Sequence, residues 1–313
     1  MTTIRVEGLQ KHYGAVHALD GLDLSVEPGT VFGFLGPNGA GKTTTIRILT
    51  GLVRPTAGRA WVAGEEVTAN GRHLAQRIGH QPEEPAFYPW MTPREFLDHV
   101  GRVFGLAASE RAARTKELLD LVGLAEAGQR RIGGFSRGMR QRLGLAQALV
   151  NRPEVLFLDE PVSALDPMGR KEVLALIERL RGQCTVFMST HILADVERVC
   201  DSVGIIARGR MVVEARRDEL IARYAVPVFE VESVNGYGER ITGWVEAMRQ
   251  EKWVTTVSVN ENTARIVVNN VEVAQRELLA SAVKMGLALT RYEMMRPSLE
   301  DVFLQLVGEG AQA

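Results

Sequence analysis

The sequence has few cysteines and no long apolar run. Only two cysteines, Cys184 and Cys200, occur among 313 residues. Disulfide-stabilised secreted domains contain a higher proportion, so we expect both thiols to be reduced and buried, with a disulfide as the alternative. No run of about 18 apolar residues is present, so we expect no membrane-spanning helix. Residues 1–5 lead directly into a predicted strand, so we expect no signal peptide.

Neither sign of charge is in excess. Lys and Arg number 37, Asp and Glu number 38, and the formal net charge is −1. Proteins that bind nucleic acid or an anionic membrane surface commonly have a basic excess. We therefore expect no nucleic-acid partner. An apolar fraction of 45% and a charged fraction of 24% are typical of a globular protein, and the length accommodates one large or two ordinary domains.

The most informative stretch is residues 36–44, which match the pattern G-x-x-x-x-G-K-[ST]. Residues 30–35 before it predict an apolar strand, and the apolar spacing of residues 45–49 predicts a helix. Strand, glycine-rich turn and helix together form a phosphate cradle, because backbone N–H groups and the helix N-terminus attract anions. Lys42 is predicted to reach the β- and γ-phosphates, and the Thr43 hydroxyl to face Mg²⁺. The predicted cradle comprises Gly36, Pro37, Asn38, Gly39, Ala40, Gly41, Lys42, Thr43 and Thr44.

Two adjacent carboxylates, Asp159 and Glu160, follow the apolar residues 155–158. Such a run is typical of a buried strand in a parallel sheet, and its carboxyl end is where α/β folds keep their chemistry. Beside a phosphate cradle, one carboxylate typically holds Mg²⁺ and the other polarises the attacking water. A structural ion pair is the alternative.

Four further positions give signals that are weak one by one. Tyr13, in a predicted loop, could stack on a nucleotide base or simply pack. Gln81, at the end of a predicted strand, could ligate a metal through its carbonyl oxygen or be a solvated loop amide. Ser136 fits the N-cap of a predicted helix. His191 follows a predicted strand and could form a hydrogen bond with a phosphate.

Residues 85–91 are rich in aromatics and bounded by prolines. Thr92 and Pro93 then predict the start of a helix that extends to about residue 104. Phe87, Tyr88 and Trp90 either pack in a local core or form an exposed docking patch. The sequence leaves both interpretations open.

The character of the chain changes at Pro227. Beyond it we predict four strands and two helices in the order βαββαβ, which is typical of a ferredoxin-like domain. A further helix is predicted for about residues 298–307. No catalytic constellation is present there, so we expect a role in regulation or dimer contact. The predicted strands are residues 228–234, 253–259, 263–268 and 287–292, and the predicted helices residues 240–250 and 271–285.

In chain order these motifs resemble the nucleotide-binding subunit of ATP-binding cassette (ABC) transporters. The resemblance covers about residues 2–223, and residues 297–303 are similar to the accessory C-terminal domain of the drug-export (ABC-2) subgroup. It implies an α/β fold: a P-loop NTPase ABC ATPase domain over residues 1–223 and a small α+β ferredoxin-like domain over 224–313. The first domain would contain a RecA-like core, an antiparallel β subdomain and a helical subdomain at about 88–150. The motifs are Tyr13, residues 36–44, Gln81, residues 136–139, Asp159, Glu160, residues 163–166 and His191.

The resemblance also implies a role for each matched residue. Tyr13 would stack on adenine, and Gln81 would contact Mg²⁺ and sense a transmembrane partner. Residues 163–166 would face a second copy of the chain. The catalytic residues would be Lys42, Gln81, Glu160 as general base and His191 at the γ-phosphate, and the metal ligands Thr43, Gln81 and Asp159.

One motif departs from the family. Its signature usually reads Leu-Ser-Gly-Gly-Gln, and residues 135–139 read Phe-Ser-Arg-Gly-Met. Ser136 and the Gly138 amide can still bind a γ-phosphate, whereas Met139 cannot make contacts that need an amide. The Arg137 side chain must point away from the nucleotide or add a cation beside it. A basic residue before Gly-Met is familiar in the ABC-2 subgroup.

The function that the resemblance implies is ATP-driven export. Two copies would close head to tail around two molecules of ATP with Mg²⁺ and act on a separate membrane permease from the cytoplasmic face of the membrane. The loop of residues 87–90 would dock on that permease. The alternative is a soluble ABC-type ATPase acting in translation or DNA repair. Against it, the chain has one cassette, and about 94 residues from Lys42 to Ser136 leave no room for a long coiled coil.

Overall fold

The computed structural model describes residues 2–68, 71–163, 165–224, 227–234, 238–295 and 299. The chain divides into two compact units between Arg217 and Asp218. The domain boundary expected at residues 223 and 224 stays a prediction. The final helix predicted for residues 298–307 lies outside the described residues, apart from Leu299.

The first unit contains ten strands and seven α-helices over the residues described, and an eighth α-helix, α8, begins at its last residue. The strands are β1 (Ile4–Tyr13), β2 (Val16–Val26), β3 (Val31–Leu35), β4 (Ala57–Val62), β5 (Glu65–Glu66), β6 (Ile78–Gln81), β7 (Val155–Asp159), β8 (Thr185–Thr190), β9 (Ser202–Ala207) and β10 (Arg210–Arg216). The helices are α1 (Lys42–Leu49), α2 (Arg72–Arg77), α3 (Pro93–Val103), α4 (Ala108–Leu121), α5 (Arg137–Ala148), α6 (Pro167–Leu180), α7 (Leu193–Val199) and α8 (Arg217–Tyr224).

The central sheet of this unit has six strands in the order β10-β9-β3-β8-β7-β6. All neighbours are parallel except β10, which pairs antiparallel with β9. Every residue of β3, β7 and β8 is buried. For β7 this confirms the prediction from the apolar run before Asp159. The ring of Phe187 on β8 lies 5.2 Å from that of Phe34 on β3 and 5.7 Å from that of Phe157 on β7. This aromatic cluster packs the three strands that lead to the candidate site.

A smaller antiparallel sheet has the order β2-β1-β4-β5. In its first hairpin, pairing continues to Tyr13 opposite Val16. The prediction that Tyr13 lies in a loop is therefore wrong, since it ends β1 and only two residues form the turn. Alternation of apolar residues fades beyond Leu9, so the sequence shows the buried half of β1 and not the part stabilised by backbone pairing.

Helices α2 and α8 have no counterpart in the sequence predictions. Each has only six to eight residues, a length at which tertiary packing rather than intrinsic propensity stabilises a helix. In α7, Val196 and Val199 are fully buried. A Cβ atom on Gly33 of β3 would lie 2.8 Å from Val196 Cγ1, so glycine permits this close approach of helix and strand.

Both cysteines are free and buried, as expected, and the disulfide alternative is wrong. Burial raises the pKa of the Cys184 thiol to about 11. It also raises that of the Cys200 thiol well above its usual range. Thiols in such surroundings stay protonated and unreactive at neutral pH.

The second unit confirms the predicted βαββαβ order in the residues described. Its four strands form an antiparallel sheet in the order β12-β13-β11-β14, which is the ferredoxin-like arrangement. The indole N–H of the buried Trp244 donates to Ser281 Oγ at 2.9 Å and joins the two helices. The elements are β11 (Val228–Ser233), α9 (Gly238–Met248), β12 (Val254–Asn260), β13 (Thr263–Val268), α10 (Val271–Lys284) and β14 (Leu289–Met295).

The contact between β6 and the end of α5 generates a stability prediction. A Cβ atom on Gly79 would overlap the carbonyl oxygen of Ala148, which is backbone and cannot rotate away. We expect Gly79→Ala to lower the free energy of unfolding by about 1–3 kcal/mol, the usual cost of overpacking. Urea denaturation measures this change.

The matched control is Gly243→Ala on α9, where a Cβ atom would meet nothing within 4 Å. Because alanine favours a helix interior over glycine by about 0.5–1 kcal/mol, this variant should be at least as stable as the parent. A Gly79→Ala variant as stable as the parent would contradict the close packing of β6 on α5.

Candidate functional site

The carboxyl ends of four neighbouring parallel strands meet at one edge of the central sheet. There β3 runs into the phosphate cradle, β6 ends at Gln81, β7 ends at Asp159 and β8 ends at Thr190, just before His191. Parallel α/β sheets bind their ligands at this edge. The fold therefore brings together four stretches that lie far apart in the sequence.

The cradle has the backbone that the pattern predicts. Helix α1 begins at Lys42, and Gly41 before it has φ of 112°. A Cβ atom on Gly41 would lie 2.6 Å from the carbonyl oxygen of Ala18, so the turn needs glycine for both space and conformation. Gly39 also has positive φ, at 81°. The N–H groups of the first turn of α1 then remain for an anion.

A cavity of about 270 Å³ opens in front of this helix end. Its walls come from the start of β2, the cradle, the segment after β6, the end of β7 and the residue after β8. The lining residues are Val16, His17, Ala18, Pro37, Asn38, Gly39, Gly41, Lys42, Thr43, Thr44, Glu83, Glu160 and His191.

Lys42 and Glu160 form an ion pair at the floor of the cavity, with 3.4 Å between Nζ and Oε1. Both side chains are more than nine-tenths buried. The Lys42 ammonium also donates to the carbonyl oxygens of Gly36 at 2.6 Å and Pro37 at 3.3 Å. The cation is thus desolvated and pre-positioned, which strengthens its attraction for an incoming anion.

Asp159 and Glu160 are both buried, and Ser189 on β8 holds them. The Ser189 hydroxyl donates to Asp159 Oδ1 at 2.5 Å. The Glu160 N–H lies 3.2 Å from the Ser189 carbonyl oxygen and 3.1 Å from Oγ. Glu160 has φ of 47°, a left-handed conformation that is costly for a non-glycine residue and is often found at functional sites.

Sequence reasoning missed the role of Ser189. Its signal is the register: Ser189 pairs with Asp159 across the parallel strands β7 and β8. That pairing depends on the sheet and is absent from the order of residues along the chain.

His191 lies against the same carboxylate. Its Nδ1 atom is 3.0 Å from both oxygens of Glu160, and the ring is about half exposed toward the cavity it lines. The Thr190 hydroxyl accepts from the Ile192 N–H at 3.0 Å and fixes the turn that presents the ring. Glu160 therefore lies between an imidazole and an ammonium group.

Gln81 is 1% exposed, so the alternative of a solvated loop amide is wrong. Its Nε2 donates to Oε1 of Gln141 at 2.5 Å and to the Gln141 carbonyl oxygen at 3.1 Å. Its own Oε1 is buried and has no hydrogen-bond partner. A buried carbonyl oxygen without a partner is costly, and a cation would satisfy it.

The residues at this edge fit a magnesium ion. Mg²⁺ prefers hard oxygen ligands and takes one or two protein groups together with phosphate oxygens. The hydroxyl of Thr43, the free carbonyl oxygen of Gln81 and the carboxylate of Asp159 are such ligands. Across the residues described, no cluster of three His, Cys, Asp or Glu side chains forms another metal site.

Five predicted nucleotide contacts do not line the cavity of the same chain: Gly36 and Ala40 within the cradle, and Tyr13, Ser136 and Gly138 away from it. Tyr13 is 46% exposed, its ring is covered by the Lys11 ammonium at 4.8 Å, and His17 lies in the cavity wall instead. Ser136 caps α5 by accepting from the Met139 N–H at 3.2 Å. Neither Ser136 nor Gly138 lines the cavity.

Arg137, the residue that departs from the family signature, points toward the segment after β6. Its guanidinium lies 3.9 Å from the carboxylate of Glu84, and both side chains are exposed. Arg137 thus has an acidic partner in its own chain and does not line the cavity of that chain.

The aromatic loop divides between core and surface. Phe87 is half-buried against Phe96, with 5.1 Å between ring centroids. Tyr88 and Trp90 are exposed, Trp90 by 63%. Phe87 thus packs locally and Tyr88 and Trp90 are exposed, while docking through this loop stays a prediction. A groove of about 230 Å³ lies on the same unit, and its lining includes Leu52, His80, Val100, Phe104 and Gln147.

In the part of the chain that the structure describes, no helix combines the length and apolar character needed to cross a bilayer.

Comparison with known proteins agrees with this geometry. The sequence profile of the ABC transporter family matches residues 19–163. A second profile, ATP-binding protein DrrA1-3-like, C-terminal domain, matches residues 216–307. Among solved structures, one described as the ATP binding subunit of an ABC transporter superposes with a TM-score of 0.65 and 30% identity, over 71% of this chain and 93% of that chain.

Curated relatives match over almost the whole chain. The ABC transporter ATP-binding protein YxlF of Bacillus subtilis is 42% identical over 306 residues, which cover 97% of this chain and 99% of the relative. The bacitracin transport ATP-binding protein BcrA of Bacillus licheniformis is 37% identical, covering 99% and 98%. The daunorubicin resistance ATP-binding protein DrrA3 of Streptomyces coeruleorubidus is 38% identical, covering 98% and 96%. With this similarity over both units, the chain belongs to the ATP-binding subunits of ABC transporters, which bind and hydrolyse ATP.

Proposed function

We propose that two copies of this subunit close head to tail around two molecules of ATP with Mg²⁺, and that closure drives export through a separate membrane permease. The observation that supports closure is the incomplete cavity. One chain supplies the cradle, Glu160 and His191, whereas Ser136 and Gly138 lie outside its lining. A second copy that brings these two residues to the open side would complete it.

The physical reason for such closure is charge development. A γ-phosphate held only by the cradle has one side facing water. The Ser136 hydroxyl and the backbone N–H groups at the start of α5 are donors that a partner could place there. Hydrogen-bond donors that are already positioned where negative charge develops stabilise the transition state. Because closure brings them there, they also couple closure to hydrolysis.

Glu160 is proposed as the general base and Lys42 as the cation for the β- and γ-phosphates. In the structure the two form an ion pair. A phosphate that takes over Lys42 would release the Glu160 carboxylate to form a hydrogen bond with the attacking water at the moment when substrate is bound. The Nδ1 atom of His191 lies 3.0 Å from both oxygens of Glu160. His191 would hold this carboxylate in place and reach the γ-phosphate.

Thr43, Gln81 and Asp159 are proposed to hold Mg²⁺. The support is the oxygen character of the three groups and the unpartnered Oε1 of Gln81. When bound, the ion would offset negative charge on the phosphates. Ser189 would keep Asp159 oriented by the hydrogen bond described above.

Export is proposed because relatives of both units are named for transport or resistance, among them the bacitracin and daunorubicin proteins. The loop that contains the exposed Tyr88 and Trp90, next to Gln81, would contact the permease. The subunit would act peripherally at the cytoplasmic face of the membrane. Residues 163–166 would face the second copy. The alternative of an ATPase in translation or DNA repair receives no support from these relatives.

Replacement of Glu160 by Gln tests the mechanism. The variant should bind ATP normally, lose turnover by about 10²–10⁴-fold as expected for removal of a general base, and accumulate as a dimer with ATP in light scattering. Lys42→Ala is the contrast, because it should lose ATP affinity itself and stay monomeric. Rapid turnover by Glu160→Gln would refute the base, and a monomer at saturating ATP would refute the closed dimer.

A second prediction concerns the adenine. If Tyr13 stacks on the base, Tyr13→Ala should weaken ATP binding by about 1–3 kcal/mol and leave the binding of inorganic tripolyphosphate, which has no base, unchanged. Calorimetry measures both ligands. His17→Ala is the comparison, because His17 lines the cavity in the structure. An effect of His17→Ala together with none of Tyr13→Ala would show the Tyr13 assignment to be wrong.

The docking surface gives a third prediction. Trp90→Ser should reduce co-purification with the permease and leave ATP affinity of the isolated subunit unchanged, since the side chain is exposed and lies outside the cavity lining. Val212→Ser removes another exposed apolar side chain, on β10, and serves as control. Equal co-purification of both variants with the permease would contradict docking through this loop.

A further inference from the structure

Gln141, in the second turn of α5, makes hydrogen bonds with both parts of its side-chain amide. The residue is 2% exposed. Its Oε1 accepts from Gln81 Nε2 at 2.5 Å, and its Nε2 donates to the carbonyl oxygen of Glu83 at 2.8 Å. Its backbone carbonyl oxygen accepts from Gln81 Nε2 at 3.1 Å.

These contacts determine which end of the Gln81 amide is free. Both hydrogen atoms of its NH₂ group have acceptors on Gln141, whereas its Oε1 has no partner. A flipped amide would place the Gln81 oxygen against two oxygen atoms of Gln141 and would leave two buried donors unpaired. The penalty for unmade buried hydrogen bonds therefore selects the observed orientation.

Packing keeps Gln141 in register with Gln81. A Cβ atom on Gly144, one turn further along α5, would lie 2.8 Å from Pro85 Cγ and 3.3 Å from Gln81 Nε2. The helix therefore approaches the segment after β6 as closely as glycine allows. Helix α5 begins directly after Ser136. The helix therefore connects the segment after β6 rigidly to Ser136.

We propose that Gln141 is a positioning residue for Gln81: by occupying the NH₂ group, it keeps the Gln81 carbonyl oxygen as the free end for the magnesium ion. This inference rests on the proposed role of Gln81 as a metal ligand. It adds a residue of the helical region that touches neither nucleotide nor metal. Groups behind a metal ligand commonly change metal affinity by about 10–100-fold when they are replaced.

The test compares two variants of nearly equal size. Both variants lose the donor to the Glu83 carbonyl oxygen. Gln141→Glu keeps an oxygen that accepts from Gln81, whereas Gln141→Met keeps length and burial and loses that strong acceptor as well. For each, the affinity of a fluorescent ATP analogue is measured in EDTA and across a Mg²⁺ titration. We expect Gln141→Met to raise the Mg²⁺ concentration at the titration midpoint about 10-fold and to leave the affinity for the ATP analogue in EDTA unchanged. Gln141→Glu should stay near the parent in both measurements.

A purely structural role would give a different result. It would lower affinity in EDTA as well, or it would affect both variants equally, and either outcome overturns the proposal. If Gln141→Met does not fold, Gln141→Ser replaces it, because the hydroxyl is too short to reach Gln81. An unchanged Mg²⁺ midpoint in the folded variant also overturns the proposal.

Gln81→Ala separates this inference from the proposed function. If Gln81→Ala leaves the Mg²⁺ midpoint unchanged, the assignment of Gln81 as a ligand fails, and the inference fails with it. If Gln81→Ala shifts the midpoint and Gln141→Met does not, only the positioning role is wrong. In the double variant, Gln141→Met should add nothing to the effect of Gln81→Ala.

Discussion

The ion pair between Lys42 and Glu160 is the interaction on which the arrangement of the site depends. Two opposite charges in a buried position are stable only when further hydrogen bonds compensate for their lost hydration. Carbonyl oxygens of the cradle bind the Lys42 ammonium. His191 lies against the Glu160 carboxylate, and the Glu160 N–H donates to Ser189 Oγ. Loss of any neighbour would leave part of this buried charge uncompensated.

The supporting contacts come from elements that the central sheet brings together. Phe187 packs β8 against β3 and β7, and this packing places Ser189 beside Asp159. Gly79 and Gly144 allow α5 to approach β6 and the segment after it. Close packing of this kind transmits small displacements, because interiors have few voids to absorb them. A movement of the aromatic loop, which follows Gln81, would therefore displace α5.

Much of the fold could be predicted because local patterns and tertiary structure agree. The glycine spacing of residues 36–44 specifies a turn that only glycine fits at Gly41. The run of apolar residues before Asp159 specifies a strand covered on both faces, and the second unit has the predicted order of elements. The errors occur where tertiary contacts override weak local signals. Pairing extends β1 to Tyr13, packing stabilises the short helices α2 and α8, and burial of Gln81 removes it from solvent.

The sequence by itself determined the cradle, the acidic pair, the ferredoxin-like order of the second unit and the family, because each depends on residue types at short fixed spacings. Only the tertiary structure decided that Ser189 holds the acidic pair, that Gln141 occupies the amide of Gln81, and that Ser136 lies outside its own chain's cavity. These are relations between residues on different strands and helices. Strand register and helix packing set them, and neither can be read from the order of residues along one segment.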